Sequence, residues 1–203
     1  VNSRVAMDAI ANSSVAMEII AGSSAAMNAI INSQTALDAI KNNDTAWEIF
    51  KNSTALQRKS IPVMTSNTTP EGVCSASSIA DSNRDAYKAF NKSSEYWRAA
   101  SGPPQWIQYQ FDSDVFVHTV YIVGRGDGTY NNPNAIVIQT SSNGTDFIDV
   151  LMYNSEITSD AVTLKIAKAG YYKYWRIKVT GTVGVDDPPD VVELDFIGFV
   201  QPT

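Results

Sequence analysis

The 203-residue sequence has few of the residues on which several kinds of chemistry depend. Its one cysteine, Cys74, excludes a disulfide within the chain, and its one histidine, His118, leaves neither a zinc ligand set nor a Cys–His pair. We expect Cys74 to be a buried, inert thiol. His118 alternates with Phe116 and Val120, which predicts an ordinary sheet residue. The G-x-S-x-G pattern of serine hydrolases is also missing.

Charge and long apolar runs are scarce as well. Charged residues make up 18% of the chain, and the net charge is −6, so a surface for nucleic acid or anionic membranes is not expected. No apolar run approaches the roughly 20 residues that span a bilayer, and we expect no signal peptide at Val1. Hydrophobic residues reach 44%, so one ordinary domain with an appendage can form a core.

The first fifty residues are five units of ten residues, and an Asn-Ser pair or a close relative opens almost every unit. One apolar column contains Met7, Met17, Met27, Leu37 and Trp47, and a second contains Ile10, Ile20, Ile30, Ile40 and Phe50. Three turns in ten residues would overwind an unbroken α-helix. Because Ser and Asn cap helix starts, and Thr45 and Glu48 have capping-box spacing, each unit predicts a turn and a helix of about two turns.

Helices this short are not stable alone in water, and one unit has little of its own to pack against. We therefore expect residues 1–60 to form an oligomerisation stalk of decapeptide repeats, which stack along an axis and against other copies of the chain. The expected assembly is a homotrimer. A monomeric helical hairpin is the alternative.

After residue 60 the period ends, and Ile61-Pro62 followed by the turn-forming segment 66–72 marks a boundary. Segments rich in β-branched and aromatic residues then alternate with Gly-, Pro- and Asn-rich loops. They are residues 105–111, 115–123, 135–140, 146–153, 161–166, 171–180 and 191–200. This spacing predicts an all-β fold over residues 61–203, an antiparallel jelly-roll β-sandwich that follows the α-helical repeat stalk.

Several motifs of the second half come in a recognisable order. They are MTSNTTPEGVCSASS (64–78), AYKAFN (86–91), YW (96–97), WIQYQF (106–111), TSSNGTDF (140–147) and YYKYWRIKV (171–179). Together they resemble the discoidin-like domains, also called coagulation-factor type C domains, and their relatives among carbohydrate-binding modules. The resemblance covers roughly residues 64–200 and implies a galactose-binding-like jelly roll. The decads resemble repeats of bacteriophage tail and tail-fibre proteins.

The resemblance implies a ligand site in the loops, with Arg125 as its first candidate. Sugar-binding relatives often carry an arginine here, and a guanidinium fork can donate to two adjacent hydroxyls. Tyr130 offers an apolar face for a sugar ring. The full candidate set is Arg84, Arg98, Arg125, Asp127, Tyr130, Asn131, Asn132, Asn134 and Asp187. The alternative is a solvated loop arginine paired with Asp127, and the Arg-Gly-Asp tripeptide that integrins recognise is too short to be specific.

Two further expectations follow from family positions. The strand aromatics Trp106, Tyr109, Phe111, Tyr172, Tyr174 and Trp175 are expected to pack the core rather than a ligand. A structural Ca²⁺ ion is implied at Asn91, Glu95 and Glu193, with carbonyl groups of Lys88 and Ser93. Asn91 replaces the usual Asp, which should weaken Ca²⁺ binding, and the alternative is that Asn91 caps its own turn.

These patterns predict a receptor-binding tip of a phage tail fibre or similar extracellular appendage, part of the virion used for host attachment. A homotrimer would display several weak sites for a host cell-surface glycan and gain avidity. We expect no catalysis, no nucleic-acid partner and no membrane insertion. The alternatives are a carbohydrate-binding accessory module of a secreted glycosidase, a structural tail decoration without a ligand, and glycan hydrolysis by carboxylates among Asp186, Asp187 and Asp190.

Overall fold

The structure is a computed structural model that describes residues 3–126 and 128–202 of the chain. Its described residues form five α-helices of eight residues each. They are α1 (Arg4–Ala11), α2 (Ser14–Ala21), α3 (Ser24–Ile31), α4 (Gln34–Lys41) and α5 (Asp44–Lys51). No single helix in this part of the chain has the length and hydropathy to cross a membrane. Only α2 and α3 taken together pass the same criteria, and they are bent by 104° at their junction.

The third residue of each ten-residue unit is the residue that starts the helix. The side chains of Ser3, Ser13, Ser23, Ser33 and Asn43 each accept a hydrogen bond from the backbone N–H three residues later. This confirms the prediction of short helices that are capped anew in every unit. The proposed capping box at Thr45 and Glu48 is wrong, because Asn43 caps α5 and Thr45 already lies inside the helix.

The helices wind into a solenoid with three units per turn, because α1 packs against α4 and α2 packs against α5. The Met7 column points into the solenoid, and Met17 and Met27 are fully buried there. The premise that other copies must cover these side chains is therefore wrong, since the chain buries them itself. The helical hairpin does not form either. The stalk and the trimer stay predictions that this packing does not support.

Ten β-strands are found in the described part of the chain. They are β1 (Arg58–Lys59), β2 (Val73–Ala76), β3 (Trp97–Arg98), β4 (Gln105–Val123), β5 (Pro133–Ser141), β6 (Ile148–Tyr153), β7 (Val162–Lys165), β8 (Tyr172–Thr182), β9 (Asp190–Val191) and β10 (Glu193–Val200). All of their recorded pairings are antiparallel. The predicted antiparallel sandwich is confirmed, although the segments 105–111 and 115–123 form one long strand rather than two.

Strand β4 joins the two layers of the sandwich. Its first half pairs with β2 and β8, and β8 continues to β5 and β6. Its second half pairs with β10 and β7, and β10 continues to β1. The change of partner falls where the register with β8 shifts between Gln110 and Val115, so the strand bends from one layer to the other.

The core between the layers follows the alternation of the strands. Tyr109, Phe111 and Trp175 are fully buried, as expected for core aromatics. Trp106 and Tyr174 lie on the opposite side of the same strands and are only half-buried, so assigning them to the core was wrong.

The solenoid and the sandwich share a second hydrophobic cluster. The ring of Phe50 meets those of Phe116 and Phe199 edge-on, with centroids 5.8 and 6.0 Å away. Gln34 adds polar contacts, because its Nε2 donates to the Ala167 carbonyl at 2.6 Å and its Oε1 accepts from the Ala169 N–H at 3.0 Å. The helices therefore pack against the part of the sandwich that contains Phe116, Phe199 and residues 167–169.

Candidate functional site

Four short segments bring the predicted arginines together. A 3-10 helix at Ser82–Arg84 supplies Arg84, and strand β3 supplies Arg98. Arg125 follows the end of β4, and strand β9 lies beside β3 with Asp190 opposite Arg98 in register. The buried Trp97 points into the core, which turns its neighbours on either side toward these loops.

The three arginines surround one tyrosine ring. The guanidinium carbons of Arg84, Arg125 and Arg98 lie 3.8, 4.8 and 5.5 Å from the centroid of Tyr96. Distances of this order give favourable cation–π contacts. Tyr96 is 8% exposed, and the arginines are among the side chains that cover its ring. The sequence predicts the grouping of the arginines but does not assign Tyr96 to the site, although its place beside Trp97 is a usable signal.

Asp190 balances part of this positive charge. Its carboxylate is fully buried and accepts hydrogen bonds from Arg98 Nε at 2.6 Å and from Arg98 Nη2 at 2.7 Å. Arg125 Nη1 reaches the same carboxylate at 3.4 Å. The hydrogen bonds from Arg98 to Asp190 raise the pKa of Arg98 above its ordinary value. A bidentate pair of this kind fixes the orientation of the guanidinium plane.

Asn132 holds the loop that carries Arg125. Its side chain is fully buried, its Oδ1 accepts from the Arg125 N–H at 3.0 Å, and its Nδ2 donates to the Gly126 carbonyl at 2.5 Å and to Glu156 Oε1 at 3.0 Å. A side chain with these partners supports the loop from inside. Asn132 is therefore not placed to touch a ligand, and its assignment as a contact residue is corrected on that ground.

Tyr130 and Asn131 complete the exposed side of the same loop. Tyr130 is 68% exposed. Asn131 Oδ1 accepts from Arg98 Nη2 at 3.4 Å, and its Nδ2 donates to the Pro188 carbonyl at 2.8 Å. Asp187 is half-buried in the neighbouring loop, where Gly184 leaves room between its carboxylate and Tyr130. Asp127 lies outside the described residues, and Asn134 instead donates to the Thr182 carbonyl.

The ammonium group of Lys88 lies among the residues that the family resemblance assigns to Ca²⁺. Lys88 Nζ donates to Glu95 Oε1 at 2.5 Å, and Asn91 Nδ2 donates to Glu95 Oε2 at 2.6 Å. The hydrogen bond from Lys88 lowers the pKa of Glu95 below its ordinary value. Asn91 Oδ1 accepts from the N–H and the hydroxyl of Ser93, as in the turn-capping alternative.

This arrangement does not fit Ca²⁺ as it stands, because an ammonium group already neutralises the carboxylate that the ion would need. Glu193 begins β10 opposite Val123. Within the described ranges, no group of three or more His, Cys, Asp or Glu side chains is close enough to hold a metal ion. Calcium binding stays a prediction that these contacts argue against.

The remaining chemical candidates are also accounted for. Asp190 is buried and bound to Arg98, so it is not free to act with Asp186 or Asp187 as a hydrolytic carboxylate pair. Cys74 is buried as predicted, and burial raises the pKa of its thiol. His118 is 3% exposed and lies against Phe199, with burial lowering its pKa to about 3.

The family comparison agrees with the fold. The sequence profile of the F5/8 type C domain matches residues 73–194, which is more than half of the chain. The match begins at β2 and ends inside β10, so it contains every arginine of the cluster and Asp190. A comparison with curated protein sequences gives no significant match.

Solved structures share the sandwich. CpGH89CBM32-5 from Clostridium perfringens, in complex with GalNAc-β-1,3-galactose, is 16% identical with a TM-score of 0.55, over 63% of this chain and 94% of that chain. The family 32 CBM of Clostridium perfringens NanJ, in complex with galactose, is 17% identical with a TM-score of 0.57, over 69% and 98%. Chitosan-binding module 1 of a Paenibacillus sp. IK-5 chitosanase/glucanase is 23% identical with a TM-score of 0.53, over 65% and 98%. The TM-scores, all above 0.5, establish the shared fold.

Proposed function

Because this chain belongs to the F5/8 type C domain family, we propose that its sandwich binds a carbohydrate, without catalysis, through the loops around Tyr96. The observation that carries the proposal is the convergence of Arg84, Arg98 and Arg125 on one ring beside the exposed Tyr130. Three separate segments hold these side chains at fixed positions, and a preorganised set of donors lowers the entropic cost of binding.

The chemistry of these side chains suits a sugar. A guanidinium group has five N–H donors, so Arg125 can keep its 3.4 Å contact with Asp190 and still donate to neighbouring hydroxyls. The exposed ring of Tyr130 supplies a flat apolar surface against which the C–H face of a pyranose packs. Asn131 adds an amide, which can both donate and accept. A shallow site of a few such contacts is expected to bind weakly.

The known relatives favour the reading as an accessory binding module. Their names describe binding to galactose, to GalNAc-β-1,3-galactose and to chitosan, and one of them names a chitosanase/glucanase as the parent protein. We further propose that this chain is an accessory module of an extracellular carbohydrate-active protein and holds that protein on its substrate. Attachment of a phage tail to a host glycan would use the same loops. A trimer is not needed to cover the apolar side chains of the decads, because the chain buries them itself.

The direct test is a binding measurement of the full chain on a glycan array that includes galactose, GalNAc-β-1,3-galactose and chitotriose. Arg125→Ala is expected to weaken binding about tenfold or more, because it removes charge-assisted hydrogen bonds worth about 1.5–3 kcal/mol. Arg4→Ala is the matched control, since Arg4 has a similarly exposed side chain, 48% against 42%, and lies on α1 in the solenoid.

Equal binding by wild-type chain and Arg125→Ala would remove the arginine loop from the site. Binding to none of the glycans, with the fold intact by circular dichroism, would contradict the proposed function itself and favour a structural role for the sandwich.

A further inference from the structure

The two turns of the solenoid differ in what covers them. α1 and α2 of the first turn pack on α4 and α5, which are their counterparts thirty residues later. We call the side of a turn formed by the sixth and ninth residues of each unit its upper face. The side formed by the last residue of each helix is its lower face. The lower face of the first turn therefore meets the upper face of the second.

Equivalent residues show how the upper face is built. In the second turn Ala36 and Ala39 are fully or nearly fully buried, because α1 covers them. In the first turn their counterparts Ala6 and Ala9 are exposed. The same change occurs in the next unit, where Ile49 is half-buried under α2 while its counterpart Ile19 is 71% exposed. The first turn thus presents to solvent a face that is covered one turn later.

The lower face shows the opposite pattern. Ala11, Ala21 and Ile31 are apolar and buried at the end of the first-turn units. At the end of the second-turn units the same position is Lys41 and Lys51, both half-buried. Terminal repeats of solenoids carry polar outer faces where the stack stops. The sequence therefore closes the stack with lysines next to the sandwich and leaves its other end apolar.

Polar contacts between the turns follow the same direction. Asn43 Nδ2 of the second turn donates to Asn12 Oδ1 of the first at 3.0 Å, and Ser53 Oγ donates to the Ala21 carbonyl at 2.6 Å. Ser13 and Ser23 occupy the corresponding sites of the first turn. In the second turn, Asn43 and Ser53 donate hydrogen bonds to the first turn. Ser13 and Ser23 therefore place hydroxyl donors where a further turn stacked on the first turn would offer acceptors.

We propose that the upper face of α1, α2 and α3 is a docking surface for a further turn of three decads in the same polypeptide. The established contact between the two turns decides the occupant, because an upper face fits the small apolar residues of a lower face. A second copy of this chain could offer only its own upper face, since Lys41, Lys51 and the sandwich close the other end of its stack. The solenoid is thus extended by thirty residues at a time, with the sandwich fixed at one end.

The experiment adds a second copy of residues 1–30 before Val1 of the full chain. The extended protein is expected to melt about 5 °C or more above the original chain, and the amide of Ile19 is expected to exchange several-fold more slowly with solvent. The matched control carries Ala11→Lys and Ala21→Lys in the added copy only, which imitates Lys41 and Lys51. It is expected to show no gain in Tm and no added protection of Ile19.

Ile19→Lys tests the receiving face. It is expected to leave the Tm of the original chain unchanged, because Ile19 is exposed there, and to abolish the gain in the extended chain. An extended chain whose added copy is unprotected and gives no rise in Tm would overturn the proposal. A concentration-dependent dimer of the original chain that Ile19→Lys dissociates would also overturn it, because the occupant would then be a second copy.

Discussion

Arg98 and Asp190 face each other across the two-stranded pair β3–β9 and are joined by two hydrogen bonds of 2.6 and 2.7 Å. The carboxylate of Asp190 is fully buried, whereas the side chain of Arg98 is 26% exposed. The pair therefore has one end in the protein and the other at the surface. It fixes the guanidinium group of Arg98 beside Tyr96. It also holds strand β3, and with it any contact that Arg98 makes to a ligand.

The first prediction concerns this pair. Asp190→Ala is expected to lower the free energy of unfolding by about 3 kcal/mol, because it leaves Arg98 without its buried partner. Urea denaturation measures the change. Asp160→Ala, at an exposed loop carboxylate, is the control and should stay within about 0.5 kcal/mol of wild type. If Asp190→Ala lowers the free energy of unfolding by as little as the control does, solvent around Arg98 replaces the pair, and the pair does not stabilise the fold.

The second prediction separates loop support from ligand contact. Asn132→Ala is expected to cost about 1–3 kcal/mol of stability, because it removes the hydrogen bonds that a fully buried side chain makes to the Arg125 N–H and to Glu156. Tyr130→Ala should leave stability unchanged and weaken glycan binding about tenfold, since the ring is exposed. Thermal melts and calorimetric titration of both variants distinguish these effects. The assignment fails if Asn132→Ala is as stable as wild type.

The third prediction concerns calcium. Because Lys88 and Asn91 already occupy both oxygens of Glu95, adding CaCl₂ or EDTA is expected to leave the Tm and glycan binding unchanged. Lys88→Ala is expected to loosen this turn, visible as faster amide exchange at residues 91–95. A Tm that rises by several degrees with CaCl₂ and falls in EDTA would instead restore the predicted ion at Asn91 and Glu95.

The fourth prediction is a pH dependence caused by His118. Burial lowers the pKa of His118 from its ordinary value of 6.5 to about 3, so the unfolded chain binds a proton in a pH range where the folded chain does not. Stability is therefore expected to fall as the pH drops from 6.5 toward 3, by up to about 1.4 kcal/mol per pH unit from this residue. His118→Gln should remove that part of the slope, and parallel curves for the two proteins would contradict it.

The fifth prediction concerns the contact between solenoid and sandwich. Phe50→Ala is expected to lower stability by about 3–5 kcal/mol, because the ring packs against Phe116 and Phe199 and nothing replaces it. Ile19→Ala serves as the control on an exposed solenoid residue and should cost less than about 0.5 kcal/mol. A small loss for Phe50→Ala would show that the two parts hold together without this contact.

The local parts of the fold follow from the sequence. Ser13 and Ser23 cap their helices through contacts within three residues, so the ten-residue period is enough to predict them. The direction of stacking is different, because it depends on which faces meet across thirty residues, and the period alone does not contain that information. Other copies and the same chain can both cover Met17, and the structure assigns the role to the chain itself.

The candidate site was predictable in part for similar reasons. The family resemblance predicts that Arg84, Arg98 and Arg125 lie together, and the structure brings them to one ring. Tyr96 was missed because it precedes a strand of only two residues, which shows no alternation of its own. Asn132 looked like a ligand residue because a loop asparagine and a buried one have the same sequence signature.

The measurement that tests the account most directly is an NMR titration of the ¹⁵N-labelled chain with the glycan that binds best on the array. We predict that amide shifts concentrate in residues 78–87, 93–104, 124–134 and 182–191, around Tyr96 and Tyr130, and that Arg125→Ala reduces them. Shifts that lie instead on the outer sheet face around Trp106, or in the solenoid, would contradict the loop site.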